Sequence, residues 1–304
     1  MTFSNLNILV LLREVADPRP PARPITRGAG VSARGLRLLP NPADLAALEE
    51  ALCLKDRLGA HVTVLSVGPE TLDDSLRLAL SMGADRAIRC WDHGMDGGDA
   101  KADARVLARI MDILAPTLVV TGNRLADRGD DPVPALATAF NGAPCIASAV
   151  TLNLKVGAVE VLRKGDRGSR QTVTALFPCT VLFDEGATPR YPAVEAVIDS
   201  LSATIELWEL PELGLPFWEI GSSGAALPTA RVGTPRPDPV RVVTPDPDLP
   251  AYERILSLLS GGIKAREGRV QALSADATAT ALWDLFRQEG VVPEPAETVA
   301  EAAA

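Results

Sequence analysis

Between His61 and Asp85 a short apolar run, Val62, Val64 and Val67 among small residues, ends on Ser66-Val67-Gly68-Pro69. A helical pattern follows at once and closes on Met82-Gly83-Ala84-Asp85. A strand feeding a glycine turn and a helix start is how open α/β sheets turn backbone N–H groups toward a phosphate. Other chemistry is sparsely provided. The only histidines, His61 and His93, stand at a strand start and in a Gly/Asp-rich loop, with no nucleophile motif beside either. Cys53, Cys90, Cys145 and Cys179 are far apart and form no Cys-x-x-Cys, so neither a zinc site nor a Cys–His or Ser–His–Asp relay is expected. The thiols are expected to be reduced and buried. Poverty in acid–base and nucleophilic groups points to binding or carrying in place of covalent catalysis.

Such groups act together only if the chain brings them to one sheet edge, and the pattern supplies the elements. Ile8 to Leu12 is continuously apolar, as a strand buried on both faces must be. A Pro/Arg/Gly-rich loop runs from Asp17 to Pro40. Asn41 as cap and Pro42 at the first helical position then open a helix with Leu45, Leu48, Ala51 and Leu52 inward, ended by Gly59. After the strand at Val62 to Ser66, a second helix is expected from Thr71. Its hydroxyl would cap Asp74 in a capping box, Leu72, Leu76, Ala79 and Leu80 would face in, and Gly83 would end it. Arg86 to Cys90 reads as a strand and Ala102 to Leu114 as a helix stopped by Pro116. Leu118 to Thr121 is a strand ending at Gly122, and Asp131-Pro132 starts a helix through Phe140. Tandem β-α units of this kind predict a doubly wound parallel sheet.

Past Pro144 the texture changes. Ala149 to Leu154, Val159 to Arg163 and Gln171 to Leu176 alternate polar and apolar residues around glycine turns, predicting an added antiparallel hairpin sheet with a solvated tip at Arg163 to Arg170. Val181 to Asp184 reads as the last strand. Ser222 to Pro250 contains seven prolines, which predicts an extended arm, and helical patterns follow at Leu249 to Leu259 and Ala275 to Glu289. The expected organisation is an α/β nucleotide-binding domain over 1–221, a proline-rich linker over 222–250 and a small helical tail over 251–304.

The 304 residues are 47% hydrophobic and 23% charged, the balance of a globular protein with a real core, and the net charge of −9 argues against a nucleic-acid partner. No window approaches eighteen uninterrupted apolar residues, and the N-terminal run reads as a first strand and not a signal peptide, so a cytoplasmic protein is expected.

Taken together, Ile8–Val15 with Asp17-Pro18, Asn41-Pro42, Glu49–Lys55, Ser66–Pro69, Leu76–Arg86, Gly122 with Asp127, Thr188–Pro192 and Glu212–Leu215 resemble the beta subunit of electron-transfer flavoproteins. The nitrogen-fixation-associated branch is included. The resemblance spans about Ile8 to Leu215; Glu212 stands where aspartate is more usual. It implies a Rossmann-like α/β fold and a heterodimer with an alpha subunit carrying most of the redox FAD site. It also implies an adenine nucleotide at the strand ends of this chain, either AMP or, in bifurcating members, a second FAD. Electrons would come from a flavin dehydrogenase and leave toward a quinone oxidoreductase or another acceptor. Position by position, Leu11, Asn41, Ser66, Gly68, Gly122 and Asp127 fall where the family contacts the nucleotide, with Arg128 and Val133 in the same aligned stretch.

One departure bears on that site. Asp131-Pro132-Val133-Pro134 replaces the family's Asn-Gln-Thr-Gly, removing N–H donors and placing Asp130 and Asp131 where they would repel phosphate; Arg128 is the residue able to compensate. The loop Ala187 to Ile198 matches the family's partner-recognition loop, with Pro189, Arg190 and Tyr191 leading to Val194 at the anchor position. Trp208, Trp218 and Trp283 are expected as core or subunit-interface anchors. The rival readings are a stand-alone universal-stress-type protein binding adenine nucleotide and a nucleotidyl-transfer enzyme on the same fold. The latter would need a histidine-rich signature and a Ser-Gly-Gly phosphate loop near Leu12, and both are missing from the chain.

Overall fold

The computed structural model describes residues 6–17, 37–184, 186–227, 245–259 and 273–288. The first strand, β1 (Asn7–Leu11), is followed by β2 (Glu14–Ala16) and β3 (Leu38–Pro40), which pair antiparallel and lace together the two ends of the Asp17–Pro40 loop. Residues 18–36 of that loop lie outside the described residues. Next, α1 (Pro42–Leu58) ends on Gly59 in the left-handed conformation, φ 70°, which a residue without Cβ adopts at no steric cost. After β4 (His61–Val67) comes a short 3₁₀ turn, Glu70–Leu72, and then α2 (Asp73–Met82). Thr71 lies inside that turn and caps nothing, so the expected capping box does not form.

The chain continues through β5 (Arg86–Cys90), α3 (Ala100–Leu114), β6 (Leu118–Gly122), the short antiparallel pair β7 (Arg124–Leu125) and β8 (Gly129–Asp130), and α4 (Val133–Phe140). The helix α3 begins two residues before the expected Ala102, because the Asp99 carboxylate accepts the N–H groups of Lys101 and Ala102, each at 3.0 Å. Then follow β9 (Cys145–Lys155), β10 (Ala158–Lys164), β11 (Arg170–Leu176), β12 (Cys179–Phe183), α5 (Val194–Ser202), β13 (Glu206–Trp208), α6 (Leu210–Leu213) and α7 (Gly221–Gly224).

Nine strands form one sheet in the order β11-β10-β9-β12-β6-β1-β4-β5-β13. From β9 to β13 every neighbour pair is parallel; only β9-β10-β11 is antiparallel. The hairpin strands therefore extend the main sheet instead of stacking on it. Side-chain alternation sorts the core into two layers. Ile8, Val10, Val62, Val64 and Val120 pack with Leu48, Leu52 and Leu76 of α1 and α2. Leu9, Leu11, Leu65, Ile88 and Val119 pack with Val106, Leu107 and Ile110 of α3 and Ala137 of α4. Strand order reverses at β1, with β4 on one side and β6 on the other, so the switch point lies between the carboxyl ends of β1 and β6.

Several expectations are corrected. The last strand is β13, at the sheet edge, held by Arg86 paired with Glu206 at 2.6 Å; three residues are too short a run for periodicity to reveal. Trp208 packs against the core, but Trp218 is 61% and Trp283 50% exposed, so neither is a core anchor. Cys90 and Cys179 are buried, whereas Cys145 is exposed. The chain divides into two units, 1–235 and 236–304. The expected linker begins inside the first unit: α7 belongs to it, and the N–H groups of Ala226 and Leu227 donate to Asp99 at 2.8 and 2.9 Å. Residues 228–244 of the linker lie outside the described residues. The second unit contains α8 (Ala251–Leu259) and α9 (Ala275–Gln288), whose apolar residues, Tyr252, Ile255, Leu282 and Phe286 among them, are exposed.

Candidate functional site

At the switch point a carboxylate that periodicity cannot single out organises everything. Asp44, in the first turn of α1, is fully buried. Its Oδ1 accepts the Gly122 N–H at 2.7 Å, the Thr121 hydroxyl at 3.1 Å and the Arg13 Nη2 at 2.5 Å. Its Oδ2 accepts the Arg13 backbone N–H at 2.9 Å and Nε at 3.0 Å. Arg13 also donates through Nη2 to the Gly122 carbonyl at 2.7 Å and through Nη1 to Asp131 Oδ2. Burial works against the guanidinium charge, but Asp44 and then Asp131 outweigh it, and the Arg13 pKa is held above its ordinary value. Gly122 is a steric requirement here. A Cβ would stand 2.6 Å from both Ala43 Cβ and Asp44 Oδ1.

Beside this network opens a cleft of about 400 Å³. Its apolar walls are Leu11, Val67, Trp91, Leu107, Leu125 and Val133, and its ionic groups are Arg13, Arg128, Asp99, Asp103 and Asp131. Size and setting are those of a ligand cleft in an open α/β sheet. The charge is not that of an anion site, since two cations face three carboxylates. Asp103, an exposed residue at the rim, has its carboxyl pushed up to about 6, chiefly by loss of solvent on the cleft side, then by Asp99 and Asp131. Because the folded chain binds this proton more tightly than the unfolded chain, ionised Asp103 destabilises the fold above that pH and ceases to do so when both states are protonated. Asp103→Asn should therefore raise stability at pH 7 by about 1 kcal/mol, allowing for solvent screening at the rim. The gain should vanish below about pH 4, as read from urea midpoints at the two pH values.

The structure brings only part of the expected nucleotide set together. Leu11, Arg128 and Val133 line the cleft; Ser66, Gly68, Gly122, Asn41 and Asp127 do not. Ser66 is buried and donates to the Leu12 carbonyl at 2.7 Å. Gly68, also buried, gives its N–H to the Cys90 carbonyl at 3.0 Å, and a Cβ there would meet Leu72 at 2.5 Å. Asn41 does not cap α1 with its side chain; it donates to the Arg124 carbonyl and accepts from Ala126 N–H, pinning the β7 loop to the helix start. Asp127 accepts the Ala16 N–H at 3.1 Å and stands 3.6 Å from Arg128. Arg13, Asp44, Asp99, Asp103 and Trp91 were missed as site residues. Asp99 was discoverable, since an aspartate directly before a helical pattern is a cap signal.

The second candidate region is the approach to α5. Arg190 donates to Glu49 at 2.9 and 3.0 Å and to Asp56 at 2.8 Å. Those bonds, led by Glu49, raise its pKa. Glu49 also accepts the Arg190 backbone N–H, and Glu50 accepts that of Ala187. So Arg190 is a tether to α1, and Pro189 is half-buried with it. The tethered loop presents Tyr191, 98% exposed, and Val194, 77% exposed, continued along α5 by Ile198 and Leu201. Val194 is not a core residue.

Fold and cleft together define an α/β protein of the doubly wound, mostly parallel class, with its cleft at the switch point. Within that class the chain belongs to the electron transfer flavoprotein domain family, whose model matches residues 30–213. It is 28% identical over 263 residues to the electron transfer flavoprotein subunit beta of Mycobacterium leprae, covering 84% of this chain and 94% of that one. To the protein FixA of Sinorhizobium fredii it is 28% identical over 273 residues, covering 86% and 95%. To the subunit beta of Clostridium acetobutylicum it is 27% identical over 220 residues, covering 72% and 85%. Among the described residues no helix is long and apolar enough to cross a membrane.

Proposed function

We propose that this chain is the beta subunit of a two-chain, cytoplasmic electron-transfer flavoprotein. It completes the FAD site of an alpha subunit and docks the donor and acceptor proteins, including a flavin dehydrogenase and a quinone oxidoreductase, without itself catalysing a reaction. The observation that carries this reading is the match along the α/β domain, joined to an exposed Tyr191–Leu201 strip on a rigidly tethered loop. An apolar strip on a fixed support suits brief docking, because little conformational freedom is lost on contact. Of the roles the resemblance implies, docking fits the residues present. Holding the phosphate of an adenine nucleotide is the role that they do not fit. Co-expression with the alpha chain tests the reading. A one-to-one yellow complex with one FAD, bleached by a flavin dehydrogenase and its substrate, is the expected result; a colourless chain that works without a partner would refute it.

A further inference from the structure

We propose that the anion seat at the β1/β6 switch point is filled by the chain's own Asp131 carboxylate clamped on Arg13, so that this subunit retains no AMP through its phosphate. The seat has its own anion, and the Arg13, Gly122 and Gly68 donors beside it are already engaged. Arg13 directs Nε, Nη1 and Nη2 to Asp44, Asp131 and the Gly122 carbonyl. The Gly122 N–H goes to Asp44 and the Gly68 N–H to Cys90. At the start of α3, Asp99 takes the Lys101 and Ala102 N–H groups. At the start of α4, Asp131 Oδ1 takes the Val133 N–H at 3.0 Å, while Pro132 and Pro134 have none to give. Each helix end facing the cleft is thus closed by a carboxylate, the group a bound phosphate would replace.

The remaining charge points the same way. Arg128, the one cleft cation not already clamped among the described residues, is 71% exposed and paired with Asp127. A phosphate of charge near −2 would enter beside Asp99, Asp103 and Asp131. The raised Asp103 carboxyl shows that this cleft already disfavours one more negative charge. The apolar walls are left to admit an uncharged ligand or a side chain of a partner, but not a nucleoside phosphate.

The inference is tested in the heterodimer and rests on the beta-subunit reading only for that partner. Denaturing the purified complex and counting released compounds should give FAD and no AMP. One AMP, or a second FAD, per heterodimer overturns the inference and leaves the flavoprotein reading intact, whereas loss of all flavin counts against that reading alone. The second arm is Asp131→Asn, which keeps an oxygen to cap α4 and removes the charge. AMP titrated calorimetrically into the complex should bind the variant at least tenfold more tightly than the parent; equal affinity overturns the inference.

Discussion

Replacing Arg13 by methionine should cost the folded chain about 3–5 kcal/mol, the expected loss when one partner of a buried ion pair is removed. The reason is the carboxylate left behind. Asp44 is fully buried, and without the guanidinium its charge keeps only the Gly122 and Arg13 backbone N–H groups and the Thr121 hydroxyl. A loss of that size is a large part of the about 5–15 kcal/mol that holds a typical domain together. Asp131 would lose its clamp at the same time. The urea midpoint should fall steeply, with little change in slope. Adding Asp44→Leu to the Arg13 variant should recover only part of the loss, because it removes the unpaired buried charge but leaves the Arg13 and Gly122 N–H groups without their acceptor. If Arg13→Met proved as stable as the parent, the ion pair would not be the brace of the switch point. Lysine at 13 should not restore full stability, since the bonds to Asp44, Asp131 and the Gly122 carbonyl need a planar fork.

The second large effect is expected on docking and not on folding. Tyr191→Ala should lower kcat/KM for reduction by the dehydrogenase about thirtyfold, and Val194→Ala about tenfold, the range for anchors at the centre of a small contact. Both side chains are exposed, at 98% and 77%, so stability should move by no more than about 0.5 kcal/mol. Heterodimer yield and flavin content should be unchanged. That separation is the point of the test. Stopped-flow traces that do not change with either variant would remove this loop from the docking surface. The Arg190 tether makes the contrast sharper, because it holds the loop to α1 while leaving both anchors facing solvent.

Much of the fold was legible in one dimension. Apolar continuity at Ile8–Leu12 and Leu118–Thr121 marks strands covered on both faces, since parallel strands between two helix layers have no polar side. Gly59 and Gly83 both end helices in left-handed conformations, as glycine after a helical pattern should. The site was legible in part. The departure at Asp131–Pro134 was visible as lost donors and added charge, and the structure shows Asp131 at the cleft and both prolines in the opening turns of α4. Ser66, Gly68 and Gly122 looked like phosphate contacts because small polar and glycine residues at strand ends have that use. In the folded sheet they let Leu12, Leu72 and the start of α1 come close. Residue type alone cannot separate close approach to a ligand from close approach to the protein itself.

By itself the sequence determined the alternation of strands and helices, the two-sided burial of the sheet and the shortage of acid–base groups, because these follow from local periodicity and composition. Only the tertiary structure decided that Arg13 meets Asp44 and Asp131, 31 and 118 positions away, that Arg190 meets Glu49, and that a three-residue edge strand closes the sheet at Arg86. Such pairings depend on strand order and on which charges share a low-dielectric corner. Those distances are set by the folded sheet and have no counterpart in spacing along the chain.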